Sequence, residues 1–114
     1  MNYLGIDYGE AKIGLAIAQG PLAEPVMTIN LDQALQKIKQ LISKYEIRKI
    51  VIGNSPNEFL KQLNQLKIEI VQVDETLSSR DARIMISHKP KMQRKSAEHS
   101  AAAAIILQNF LDTL

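Results

Sequence analysis

Residues 3–18 read YLGIDYGEAKIGLAIA, and the whole fold hangs on how this stretch is read. Tyr3–Ile6 and Ile13–Ala18 are short apolar runs with Gly5, Gly9, Gly14 and Gly20 in and around them, the pattern of two strands joined by a tight turn. Outward from that hairpin, Ala23–Ile29 carries Val26, Thr28 and Ile29 but also Pro25, which has no N–H to give a ladder. It predicts a third strand at the edge of an antiparallel meander. Asn30, three residues before Gln33, then has the form of a helix N-cap, and Ala34, Leu35, Ile38, Leu41, Ile42 and Tyr45 follow at helical spacing. Arg48–Ile52 reads as a buried strand, β-branched at its centre and stopped by Gly53. Ser55, Pro56 and Glu58 form a helix start with proline at the first helical position; Phe59, Leu60, Leu63 and Leu66 supply its apolar stripe.

Ile68–Val73 predicts a fifth strand ending at Asp74 and Glu75. Ser78 with Asp81 predicts a further helix cap, His88–Lys95 a basic loop, and Ser96 the cap of a last helix reaching about Leu111. Three strands, helix, strand, helix, strand and two helices require the last two strands to run parallel to the first through crossovers. The expected fold is α/β: a mixed five-stranded sheet, meander first and crossover strands second, with helices packed on it.

Length and composition agree with one globular unit spanning residues 1–114, at 46% apolar and 23% charged residues. The absence of cysteine excludes disulfides, thiolate zinc sites and cysteine nucleophiles. No apolar run approaches the ~20 residues that span a bilayer, and the N-terminus has no basic-then-apolar leader, so a cytoplasmic protein with no membrane partner is expected. Fourteen basic residues against twelve acidic ones select no partner by themselves. Charge must cluster before it steers.

The informative residues are acids at strand ends. Asp7 ends the first strand and Glu75 follows the fifth, and the carboxyl ends of parallel strands are where α/β sheets build sites. Two carboxylates at one crevice repel each other unless a divalent cation joins them, and Mg²⁺ takes a few protein oxygens plus water. Such a pair suits phosphodiester cleavage. Each residue also has a purely structural role open to it. An aspartate two residues before glycine is a common turn device, Glu75 serves equally well as a solvated acid before a helix, and capping accounts for one of Ser78 and Ser79 without a phosphate. Lys89, Lys91, Arg94 and Lys95 form a basic surface fit for nucleic acid, although no aromatic residue interleaves them to stack bases.

The segments YLGIDYGEAKIGLAIA (3–18), KIVIGNSPNE (49–58), VDETLSSRDA (73–82) and AAAAIILQNFLD (101–112), taken in order, resemble the YqgF/RuvX family over nearly the whole chain. The resemblance implies a ribonuclease H-like fold and a nuclease dependent on Mg²⁺ or Mn²⁺. Family members are named as pre-16S ribosomal RNA nucleases and Holliday junction resolvases, which implies precursor ribosomal RNA or branched DNA as partner, ribosomal particles as a setting, and a monomer or homodimer. Carried over by position, Asp7 matches the first-strand aspartate, Gly9, Lys12 and Gly14 the opening motif, and Glu75 the glutamate of the family's DERLTT motif. Thr76 stands where that motif has arginine, so a phosphate clamp is lost while Ser78 and Ser79 keep hydroxyls. A longer, glycine-containing insertion that the family carries after the position of Asn57 is absent.

On the last helix His99 falls where the family has its third acid, with Glu98 one residue earlier. One residue on a helix turns the side chain by about 100°, so the two are not interchangeable. Either completes the site, Glu98 as a metal ligand or His99 as ligand or general acid–base group; a satisfied helix-face histidine and a first-turn acid are the structural alternatives. Two functions compete: a metal-dependent nuclease, and a nucleic-acid or ribosome-binding module that kept the fold but lost turnover. A nucleotide-binding protein of the actin-like kind is a weaker third, because 114 residues provide no second domain to enclose the nucleotide.

Overall fold

The computed structural model describes residues 2–73 and 91–114, with backbone alone for 91–98. Its strands are β1 (Asn2–Tyr8), β2 (Lys12–Ala18), β3 (Ala23–Asn30), β4 (Ile47–Ile52) and β5 (Glu69–Gln72). Its helices are α1 (Ala34–Tyr45), α2 (Asn57–Asn64) and α3 (Lys91–Leu111). The sheet order is β3-β2-β1-β4-β5. β2 runs antiparallel to β1 and to β3, whereas β4 is parallel to β1 and β5 is parallel to β4. The expected α/β fold is present, with proline-bearing β3 at one edge.

Alternation along the strands divides the core into two layers. Leu4, Ile6, Ile13, Leu15, Ile17, Ile50 and Ile52 point to the side covered by α1 and α2, where Ile38, Leu41, Phe59 and Leu63 meet them. The other side is built from smaller residues. Ala16, Ala18 and Val51 pack there against Ala103, Ala104, Ile106 and Leu107 of α3. Small side chains on both surfaces let this helix lie close to the sheet.

The far end of α3 is tied down by one side chain. Gln108 accepts a bond from the Ala23 backbone N–H at 2.8 Å through Oε1, while its Nε2 donates to the Pro21 carbonyl at 2.9 Å and to Asp112 at 3.0 Å. We expect Gln108→Ala to cost about 2 kcal/mol in urea unfolding and to speed hydrogen exchange at the Ala23 amide. Unchanged exchange there contradicts this anchoring role.

Two helix starts differ from the sequence expectation. The Asn30 side chain makes no cap bond; a 3₁₀ turn, Leu31–Gln33, comes before α1, and the Leu31 N–H is already taken by the Ala11 carbonyl at 3.0 Å. Continuing β pairing has satisfied a group that a cap would otherwise serve. Pro56 occupies the cap position of α2 rather than the first helical one, with extended backbone and no side-chain cap bond. A third difference concerns the basic segment: Lys91, Arg94 and Lys95 belong to α3 rather than to a loop, and Ser96 lies inside that helix. Lysine, methionine, glutamine and arginine are good helix formers. Among the described residues no helix is long and apolar enough to cross a membrane.

Candidate active site at the carboxyl edge of the sheet

The parallel strands β1, β4 and β5 all end at one edge of the sheet, in register: Ile6 pairs with Ile52 and Ile52 with Gln72. The Gly53 N–H donates to the Ile6 carbonyl at 3.3 Å and the Val73 N–H to the Ile52 carbonyl at 2.8 Å, so the pairing runs out to the tips. Asp7 is the next residue of β1. It pairs with Gly14 across the hairpin and is only 7% exposed.

A buried carboxylate needs a partner, because desolvation without one is costly. The partner is His99. Its Nδ1 lies 3.0 Å from Asp7 Oδ2, with the imidazole about two-fifths exposed. A carboxylate oxygen only accepts, so the proton of this bond sits on Nδ1, and in the neutral ring Nε2 is the acceptor nitrogen. Among the described residues the bond to His99 leaves other lone pairs of the carboxylate available to a cation.

Two glycines hold this pair in place. A Cβ at Gly14 would lie 2.0 Å from the His99 carbonyl oxygen and 2.6 Å from the Ser100 nitrogen, so α3 sits with its backbone directly on β2 at this point. A Cβ at Gly9 would meet the Lys12 carbonyl oxygen at 2.4 Å and the His99 ring at 3.1 Å. The turn between β1 and β2 therefore closes against the imidazole. Lys12 opens β2, exposed, at the same edge.

Of the remaining residues singled out by sequence, Glu75, Ser78, Ser79 and Lys89 lie outside the described residues. Lys91, Arg94, Lys95 and Glu98 are placed by the backbone of α3. The structure thus brings together Asp7, His99, Gly9 and Lys12, and the chain leaves β5 through Val73 two strands away on the same edge. Among the described residues no group of three metal-ligating side chains forms.

Neither Asn54 nor Ser55 is a site candidate in the sequence, where Ser55 reads as a helix cap. They follow β4, the middle of the three parallel strands, and so occupy the edge between Asp7 and Val73. Asn54 is exposed, and Ser55 Oγ is buried with no hydrogen-bond partner among the described residues. The signal was available as Gly-Asn-Ser directly after a buried β-branched strand, a place where sites form. Reading Ser55 as a helix cap concealed it.

His99 is expected to matter through Asp7. His99→Ala should lower cleavage about 10²-fold while the reaction stays dependent on divalent metal, as loss of a group that orients a ligand does. A rate equal to wild type contradicts the coupling.

Comparisons with known proteins place the chain in a family and a fold. A Chlamydia trachomatis serovar L2 protein named "Putative pre-16S rRNA nuclease" is 32% identical over 135 aligned positions, covering 97% of this chain and 91% of that protein. A protein of the same name from Bacillus thuringiensis is 31% identical over 136, covering 99% of each. Both alignments are longer than the chain, so these relatives carry residues that it does without. Among solved structures, the fowlpox virus resolvase with Holliday junction DNA superposes with a TM-score of 0.67 at 10% identity, covering 99% of this chain and 98% of that one. Thermus thermophilus RuvC with its junction substrate gives 0.61 at 14%, covering 99% and 95%. At such identity the likeness is one of fold, the ribonuclease H-like α/β sheet. The pattern of the RuvX family, described as Holliday junction resolvase, matches residues 1–113, and the chain that sets a buried aspartate at this sheet edge belongs to that family.

Proposed function

We propose that this protein is a divalent-metal-dependent nuclease that trims the 5′ end of precursor 16S ribosomal RNA in the cytoplasm. The observation that carries the proposal is the buried Asp7 carboxylate at the carboxyl edge, held at 3.0 Å by His99. Its family membership and the names of its relatives support the reaction class.

The donor set fits a hard cation. Asp7 supplies carboxylate oxygen with lone pairs to spare, in a desolvated place where a cation offsets the cost of the charge. Asp7 and Glu75 are the proposed ligands, with Glu98 as the third. A Mg²⁺ or Mn²⁺ held there would supply positive charge to the phosphate, to a water losing its proton and to the leaving oxygen. His99 holds Asp7 through Nδ1 and presents Nε2 as the group that moves a proton at the reacting oxygens. Lys12, at the same edge, steers the phosphate backbone; Lys89, Lys91, Arg94 and Lys95 extend that positive surface, and Ser78 and Ser79 offer hydroxyls to phosphate.

Cleavage of branched DNA is the second reading, favoured by the description of the family as Holliday junction resolvase. A resolvase acts on a two-fold substrate and calls for a symmetric dimer; trimming RNA does not. One assay separates these readings. End-labelled precursor ribosomal RNA, single-stranded RNA and four-way DNA junctions are incubated with Mg²⁺ or Mn²⁺, with and without EDTA. Metal-dependent cleavage of the precursor RNA is expected, and junction cleavage would move the assignment to a resolvase. Folded protein that binds these substrates and cuts none would make it a binding module.

A further inference from the structure

We propose that the cavity on the opposite face of the sheet from His99 is a nucleobase pocket, taking one unstacked base, guanine by preference, from the strand that crosses the edge at Asp7. The inference rests on the nuclease reading above and gives it a sequence preference.

Tyr8 follows Asp7 in β1, so alternation sends its side chain to the other face of the same edge. There it meets Phe59 with ring centroids 4.9 Å apart. The starts of α1 and α2 diverge at this point and leave a cavity of about 460 Å³, within the usual range for a small-ligand site. Tyr8, Leu35 and Phe59 line its inner part; Asp32, Glu58 and Gln62 line its exposed rim.

The chemistry of the lining selects the occupant. Among the described residues no lysine or arginine lines the cavity and its charged side chains are the carboxylates Asp32 and Glu58, which disfavour a phosphate. A flat base presents its face to the aromatic wall and its N–H edge to the rim. Guanine alone among the RNA bases sets two N–H donors, N1–H and N2–H, side by side on its Watson–Crick edge. That edge matches the paired oxygens of one carboxylate, as bidentate partners of a carboxylate do. The backbone then stays outside, on the Asp7 side of the edge. None of these rim residues is needed by the metal site; Asp32 and Glu58 stand in first helical turns, where acids are favoured, and the aromatic cavity between them gives the same carboxylates a ligand to face.

The test reads binding without turnover. Full-length Asp7→Asn protein, with Mg²⁺, is titrated by fluorescence anisotropy against labelled oligouridylates containing one central guanosine, one central adenosine or no purine. The guanosine oligomer should bind about tenfold more tightly than the all-uridine one, the size of effect a stacked base provides. Adding Asp32→Asn and Glu58→Gln, both on exposed residues, should reduce guanosine to the level of adenosine and leave the all-uridine affinity unchanged. As a second readout, guanosine should shift the Gln62 side-chain amide signals in the wild-type NMR spectrum. Equal affinities for the three oligomers would overturn the proposal. So would Gln62 shifts produced by spermidine and not by guanosine, which would mark the cavity as a site for a cationic group. The absence of any guanine preference in the Asp7→Asn protein with Asp32 and Glu58 intact would condemn the pocket alone, whereas cleavage by Asp7→Asn would condemn the nuclease site alone.

Discussion

Asp7→Asn is expected to lower metal-dependent cleavage at least about 10³-fold, or roughly 4 kcal/mol of transition-state stabilisation, without unfolding the protein. The two effects separate for a structural reason. The asparagine amide oxygen still accepts from His99 Nδ1–H, so the 3.0 Å contact that seats the imidazole survives. What disappears is the negative charge, and with it the affinity for a hard cation. A neutral amide is also cheaper to bury than a carboxylate, so stability should change by only about 1 kcal/mol in either direction. Melting curves and single-turnover rates measured on the same preparation check both halves. Glu10→Gln, on the exposed turn beside Gly9, serves as the control and should leave the rate within about twofold of wild type. A folded Asp7→Asn protein that cuts at the wild-type rate removes Asp7 from the chemistry.

Gly14→Ala is expected to be the most damaging small substitution in the protein. The added methyl group has nowhere to go, because a Cβ at this position lies 2.0 Å from the His99 carbonyl oxygen and 2.1 Å from its carbon, and both belong to helix backbone. Either α3 lifts from β2 or the sheet bends. Lifting the helix strips contacts from Ala103, Ile106 and Leu107, all essentially inaccessible to solvent. The expected loss is about 3 kcal/mol or more, a fall of about 10 °C or more in melting midpoint. Activity should fall even in the folded fraction, since the same movement carries His99 away from Asp7. A variant as stable as wild type would mean that α3 does not sit on β2 where the structure places it.

These two residues also show what could be read in advance. The meander was legible because Leu4, Ile6, Ile13 and Leu15 alternate with glycine and alanine, and a period of two is the mark of a strand with two unlike faces. Pro25 announced the edge strand. The position of Asp7 at a strand end needed only the length of the first apolar run. What was not legible was how closely α3 approaches the sheet. Helical spacing puts His99 on the line of Ala102, Ala103, Ile106 and Phe110, the packed face, and the structure has it there beside Asp7; what spacing leaves open is how close the helix comes, which is set by the contact of the His99 backbone with Gly14, 85 residues away in sequence. The start of α3 was misplaced for a related reason. Ser96 looks like a cap, but the lysine, methionine, glutamine and arginine before it prefer a helix to a loop. At α2 the same cap vocabulary gave Ser55 the cap that Pro56 holds, and so hid a buried hydroxyl without a partner among the described residues. Glu75, the second proposed ligand, lies outside the described residues, and its place in the proposal comes from the sequence.

The central claim is that a divalent cation binds at Asp7 beside His99. It is tested most directly by titrating Mn²⁺ into isotopically labelled protein and following paramagnetic line broadening residue by residue. The account predicts that signals of Asp7, Gly9 and His99 broaden first, at low Mn²⁺, while those of Leu22 at the opposite edge stay sharp, and that Asp7→Asn abolishes the effect. Broadening that begins at Asp32 and Glu58 and leaves Asp7 and His99 untouched would contradict it.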